Sequence, residues 1–197
     1  MKLTALSSIA LGALAALAAC AHGAAQAPIA NKTQGSHGPT SEIRGIDWQN
    51  RTYVLDELGP VAVKNGEGDL RHATDDDVVG GTYTVAHPVF ADINGDGVED
   101  AIVASVLSTG GTGRFSDIRI YTLKDGKVVE LAAIPGGDRG DGGIRRVTAE
   151  GSAVIVERNV LAEGDGACCA SQARRERWVW RDGEITEDEA ARRAIKP

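Results

Sequence analysis

Large aromatic side chains are scarce: the 197 residues include two Phe, three Tyr and three Trp, with a single Met. Set beside 25 glycines, this composition favours many turns and short strands over long helices. Basic residues are outnumbered, with 21 Lys and Arg against 28 Asp and Glu and a net charge of −7. No basic stripe interrupts that acidity, which argues against nucleic acid as a partner. Heptads and convincing internal repeats are absent. No Ser/His/Asp, Cys/His or zinc-ligand spacing stands out, which removes the familiar hydrolase and zinc signatures. Only three cysteines occur. The one long apolar run, Leu3 to Ala19, falls short of the roughly 20 residues a spanning helix needs. Ala21-His22-Gly23 follows it, with no basic stop.

What that run does have is the layout of an export signal. Lys2 precedes it, its middle is Ala- and Leu-rich, and it closes on Leu17-Ala18-Ala19-Cys20. This closing tetrad reads as a lipobox, and the segment resembles bacterial lipoprotein signals. The resemblance implies cleavage before Cys20, which then carries a diacylglycerol and an N-acyl chain. Each buried CH₂ contributes ~0.8 kcal/mol, so several chains anchor a protein durably. In that class Asp after the cysteine tends to retain the protein on the inner membrane. Ala21 lacks the signal, so the implied location is the outer membrane, facing the periplasm. The expected organisation is a signal peptide over 1–19, a lipidated Cys20 with a flexible tether over 20–42, and one β-rich domain over 43–197. The tether is Ala, Gly, Pro, Ser, Thr, Gln and Asn with almost no large apolar side chains, so it cannot bury a core.

From Ile43 onward the pattern is β. Val61-Ala62-Val63 leads into Asn65-Gly66. Ile118 to Leu123 and Val128 to Leu131 flank Asp125-Gly126, and Arg177 to Trp180 runs into Asp182-Gly183. Asn-Gly and Asp-Gly between apolar runs are hairpin signals. Tyr83–Phe90, Ala101–Leu107, Ile144–Thr148 and Ala153–Arg158 read as further strands. The tail differs: Thr186-Glu187-Asp188-Glu189 fits a capping box, and Arg192, Arg193 and Lys196 follow. The expected fold is therefore mainly β, an antiparallel sheet or sandwich and α+β at most, with a short C-terminal helix docked through Ala190, Ala191, Ala194 and Ile195.

The strongest chemical motif is Asp92-Ile93-Asn94-Gly95-Asp96-Gly97-Val98-Glu99-Asp100. Oxygen donors recur on alternate residues, and Gly97 permits a sharp turn. Ca²⁺ takes six to eight oxygens at ~2.3–2.6 Å, whereas Mg²⁺ keeps its waters and demands an octahedron. An EF-hand needs Glu at the twelfth position, where Val103 stands, and helices where the flanks read as strands. The loop instead resembles the calcium loops of FG-GAP and VCBS-type β repeats. That resemblance implies side-chain ligands from Asp92, Asn94, Asp96 and Asp100 and a backbone carbonyl from Val98. One loop rather than a series argues against a full propeller. A solvated acidic turn without metal is the plainer alternative, since Asp, Asn and Gly favour turns.

Cys168 and Cys169 are adjacent, and Cys20 is assigned to lipid. Neighbouring Cα atoms lie ~3.8 Å apart, closer than the ~4.4–6.8 Å of ordinary disulfides. A bridge between them is the expectation in an oxidising compartment. Two thiols, or an intermolecular or metal role, remain open. The acidic loop, Thr109 to Phe115, Cys168-Cys169-Ala170-Ser171 and Trp178-Val179-Trp180 together resemble a loose group of bacterial lipoproteins, over roughly Tyr83 to Glu184. Ala170 stands where Pro is common in that group, and the group supplies no activity to carry over.

Weaker signals resolve into plain readings. Gly110-Gly111-Thr112-Gly113 lacks the Lys-Ser/Thr of a P-loop and reads as a hairpin loop. Arg139-Gly140-Asp141 spells an adhesion tripeptide within a Gly-rich acidic loop and reads as chance. His72 beside Asp75-Asp76-Asp77 reads as a solvated loop. Trp178 and Trp180 share one strand face and read as core. The expectation is a non-enzymatic envelope module with structural Ca²⁺, held on the membrane through lipid on Cys20, with a protein or glycan partner. The alternatives are an enzyme on envelope polymers using His87, Asp92 or Asp96, and a redox protein using Cys168 and Cys169. A cleft joining His87 to the acidic loop would favour the enzyme.

Overall fold

Three tight turns set the layout. Asn65-Gly66, Asp125-Gly126 and Asp182-Gly183 each hold both residues at positive φ, the geometry whose twist matches two-residue hairpins. The computed structural model describes residues 42–196 except 57, 71–79, 167 and 168. The expected signal peptide, Cys20, the tether up to residue 41, the His72 loop and Cys168 lie outside the described residues.

Strands β1 (Thr52–Leu55), β2 (Gly59–Lys64), β3 (Glu67–Asp69), β4 (Thr82–Val85), β6 (Asp100–Ser108), β7 (Arg114–Lys124) and β8 (Lys127–Asp138) follow one another across an antiparallel sheet. The short β5 (Val89–Ala91) also pairs with β6. A second antiparallel sheet runs β12 (Glu184–Glu187), β11 (Gln172–Arg181), β10 (Ala153–Val160), β9 (Ile144–Glu150), with β13 (Arg193–Ile195) also on β11. The expectation of a mainly β, antiparallel fold holds. The expected strand Tyr83–Phe90 is interrupted. Its register on β6 slips by one residue between Val85↔Ser105 and Val89↔Ile102, across Pro88, which has no N–H to give the ladder.

The first sheet is buried on both faces at its centre. Ala101 and Val103 of β6 enter an aromatic core with Trp48, Tyr53, Tyr83 and Tyr121. Ile102 of β6, with Ile118 and Ile120 of β7, enters a second core with Val154 and Val156 of the second sheet. This explains why Ala101–Leu107 reads as a continuous apolar run rather than an alternating one. Trp178 and Trp180 pack against the second core, as their shared strand face suggested. In the aromatic core the Arg51 guanidinium lies over the rings of Trp48, Tyr53 and Tyr121, 4.7, 5.4 and 5.9 Å from their centroids.

The C-terminal helix is not present. Thr186 belongs to β12, Glu189–Ala191 makes one 3-10 turn, and Arg193–Ile195 continues as β13. The Thr186 hydroxyl reaches the Val179 carbonyl at 3.4 Å instead of capping. A helix of two turns gains little against its nucleation cost. Pairing Ala173↔Ile195 through Arg175↔Arg193 satisfies the same backbone groups on β11 at once.

One buried ion pair joins the sheets. Glu176 of β11 is 1 % exposed and Arg158 of β10 is 6 % exposed. Arg158 donates through Nε to Glu176 Oε2 at 2.7 Å, and through Nη1 and Nη2 to the carbonyls of Gly136 and Pro135 at 2.8 and 2.6 Å. Those carbonyls belong to β8 of the other sheet. Arg174 Nε and Trp178 Nε1 donate to the same carboxylate at 2.6 and 3.1 Å. Burial would push the Glu176 carboxyl upward, but the donors from Arg158, Trp178 and Arg174 hold it below the usual glutamate range.

Breaking such a pair from one side strands the partner's polar atoms. Arg158→Met is expected to cost about 3–5 kcal/mol, and Arg158→Met with Glu176→Leu to recover most of it, read from denaturant midpoints. Because the folded-state pKa of Glu176 is depressed, its contribution is present above the unfolded glutamate pKa and is lost as pH falls through the folded value. Acid unfolding of Arg158→Met should accordingly lose part of its pH dependence below the ordinary glutamate pKa.

All three tyrosines of the chain are buried. Burial raises each phenol, that of Tyr83 to about 12 and those of Tyr53 and Tyr121 further. A raised folded pKa means stability that is intact below the unfolded value of 10.0 and is lost as pH climbs past it. Phenolate absorbance in an alkaline titration should therefore rise together with loss of the near-ultraviolet circular dichroism signal, not ahead of it.

Candidate functional site

The acidic motif forms the tip of the hairpin between β5 and β6, closed by the pair Ala91↔Asp100. Ile93 is buried in the second core and pins one arm of the loop. Gly95 and Gly97 sit at φ 76° and 87°. Open space surrounds where their Cβ atoms would be, so backbone conformation and not crowding calls for glycine there.

The loop is wound on its own carboxylates. Asp92 Oδ1 accepts from the N–H groups of Gly95 and Asp96 at 2.8 and 3.1 Å, and Oδ2 from Gly97 at 2.9 Å. Asn94 Oδ1 accepts from Asp96 N–H at 2.9 Å, and Asp96 Oδ1 from Val98 N–H at 2.8 Å. Asn94 Nδ2 donates to Asp96 Oδ2 at 2.9 Å. Val98 is exposed. Among the described residues no three His, Cys, Asp or Glu side chains gather closely enough to hold a metal ion.

Asp100 is the exception within the loop. It is 0 % exposed. Its Oδ2 accepts from Ile93 N–H at 2.9 Å, while Oδ1 is buried without a hydrogen-bond partner. Burial pushes its carboxyl above the usual aspartate range, against the N–H groups of Ile93 and Asn94 and the Thr122 hydroxyl, which pull it down. A buried, unpaired carboxylate oxygen carries a desolvation cost of ~1–3 kcal/mol or more. Asp92, Asn94 and Asp96 of the same loop also carry side-chain oxygens, the donor type a hard cation takes.

Glu99, absent from the sequence-based ligand set, has a different task. Its two oxygens accept from Arg44 Nε and Nη2 at 2.5 and 2.6 Å, and Arg44 lies over the Phe90 ring. The guanidinium holds the Glu99 carboxyl below the ordinary range. No local pattern marks this pairing, since 55 residues separate the partners.

The other candidates stay apart. His87 is exposed beside a cavity of about 360 Å³ between β4, β6 and β9, whose lining includes neither Asp92 nor Asp96. This cavity beside His87 therefore does not join it to the acidic loop, as the enzyme reading would have it. The buried Ser105 hydroxyl donates to Asp117, which also takes Arg119, the arrangement of a structural donor. Cys169 is exposed, with its N–H on the Gly166 carbonyl at 2.8 Å. Asp165 organises that loop, accepting from the N–H groups of Ala162 and Ser171 and from the Ser171 hydroxyl at 2.7–2.9 Å. Gly164-Asp165-Gly166 carries the Asx-turn signal that could have found it.

Comparison with protein-family models, with curated proteins and with solved structures returned no match to the chain. Among the described residues no helix is long and apolar enough to cross a membrane.

Proposed function

We propose that this chain is a lipid-anchored, non-enzymatic module of a bacterial envelope whose Asp92–Asp100 loop holds a structural Ca²⁺ and whose partner is a protein or glycan. The anchor reading rests on Leu17-Ala18-Ala19-Cys20 after a single-lysine apolar run. The metal reading is carried by one observation, the buried and unpartnered Asp100 Oδ1 at the base of the acidic loop. Asp92, Asn94, Asp96 and Asp100 would hold the ion with the Val98 carbonyl. Asp92 and Asp96 each keep acceptor capacity beyond the N–H groups they already bind. The ion would balance two of the three carboxylate charges on one hairpin tip and offset the desolvation of Asp100. Its role is to stiffen the connection between β5 and β6, with no reaction step assigned to it.

Thermal melting of the full chain in Ca²⁺ and in chelator tests the metal. A ligand that binds only the folded state adds about 2.7 kcal/mol of stability at roughly 100 times its Kd. The shift should vanish in Asp96→Ala and in Asp100→Asn. An unchanged melting temperature at millimolar Ca²⁺ would remove the metal and leave a hydrogen-bonded acidic turn.

Cell fractionation tests the anchor separately. The unaltered chain should sediment with outer membranes, and Cys20→Ser should lose its lipid mass and leave that fraction. An unaltered chain that already lacks the lipid would refute the anchor.

A further inference from the structure

The space between the two sheets changes character along β7. Ile118 and Ile120 fill it with the second core. Two and four residues earlier on the same face, Ser116 and Arg114 take their place at the wall of an open cavity of about 470 Å³. Arg139 and Asn159 line it too, beside the bare backbone of Gly142 and Gly143. The β7–β8 ladder closes at Phe115 with Asp138; Arg114 is the first residue of β7, Arg139 opens the 3-10 turn Arg139–Asp141 that follows β8, and both reach the wall of this one cavity. No carboxylate among the described residues forms an ion pair with either arginine. The one carboxylate of the lining, Asp138, is committed to the adjoining turn, with Oδ1 accepting from Gly140 N–H at 2.5 Å.

We propose that this cleft binds the phosphoryl group of an anionic ligand between Arg114 and Arg139. Two guanidinium forks on one cavity wall, neither ion-paired among the described residues, need more acceptor atoms than one planar carboxylate offers, since a carboxylate is satisfied by a single fork. A phosphoryl group presents three oxygens in different directions, and Asn159 supplies a further N–H. In a chain of net charge −7, such an anion is held by local focusing in the cleft, not by the overall field. The second cavity, of about 360 Å³, shares Val106 and Ile144 with the first and is walled by Val89, Ile102 and Ala104, with His87, Arg145 and Arg146 also on its lining. The remainder of the ligand can therefore be apolar. The phosphoryl group could come from free phosphate or from a lipid headgroup, and the two are separable.

Calorimetric titration of the purified full chain in non-ionic detergent, with inorganic phosphate and separately with a soluble short-chain phosphatidic acid, decides. Binding of either probe, weakened about tenfold by Arg114→Gln and by Arg139→Gln and unchanged by the exposed Arg181→Gln, supports the site. Binding of phosphate assigns the free anion, and binding of phosphatidic acid alone assigns a lipid headgroup. No binding of either probe, or equal weakening by all three substitutions, overturns it. Melting curves report whether the variants fold. Should a glutamine variant fail to fold, Arg114→Lys and Arg139→Lys keep the charge but lose the fork. A partial loss of affinity in them supports the site, and full retention overturns the bidentate geometry proposed.

Discussion

Two sheets can share one core only if something fixes how they face each other, and here that is the Arg158 guanidinium. Apolar contact between β-branched side chains is tolerant of sliding, because burial is roughly proportional to area and indifferent to direction. A planar fork with one edge on Glu176 and its other nitrogens on the Pro135 and Gly136 carbonyls admits one alignment. Its net energy is modest, since the desolvation of both charges offsets most of the attraction. Its effect is positional: β10 and β11 are set against β8, and the isoleucines of β7 meet Val154 and Val156 as a consequence.

The aromatic core solves a different problem with few materials. Four of the chain's eight aromatic residues, Trp48, Tyr53, Tyr83 and Tyr121, converge there. Edge-to-face contacts such as Tyr53 on Tyr83, with ring centroids 5.7 Å apart, add to area burial. Arg51 enters this group with its Nη1 buried and without a hydrogen-bond partner. Stacking over three rings, at roughly 0.5–2 kcal/mol, is of the same order as the cost of leaving one donor unpaired. The charge is tolerated more than it is exploited.

How much of this the sequence disclosed depends on how local each signal is. Hairpins at Asn65-Gly66, Asp125-Gly126 and Asp182-Gly183 were legible because turn chemistry acts over two residues. The longer strands of both sheets were legible from their apolar patterning, as was the acidic hairpin tip, whereas the three-residue β3 and β13 were not. The C-terminal segment misled: its capping pattern is genuine, but the open edge of β11 outbid a helix too short to nucleate. Arg158 with Glu176, Arg44 with Glu99, and the cavity wall shared by Arg114 and Arg139 were illegible, because charged residues look alike in sequence until topology brings their partners together. The candidate loop was visible as a motif. That Asp100 alone among its acids is fully buried could be read only from the closed base of the hairpin, where the buried Ile93 turns its N–H onto the Asp100 carboxylate.

The turn that carries Arg44 also decides how the molecule bears load. Any tension arriving along the chain ahead of residue 42 enters at Glu42–Gly45, a single 3-10 turn. That turn is held by Ile43, fully buried in the aromatic core, and by Arg44 clamped to the acidic hairpin tip. Pulling there does not peel a strand from a sheet edge, one hydrogen bond at a time. It must first extract a core side chain, and the solvent-facing Arg44–Glu99 fork adds orientation more than strength to that hold.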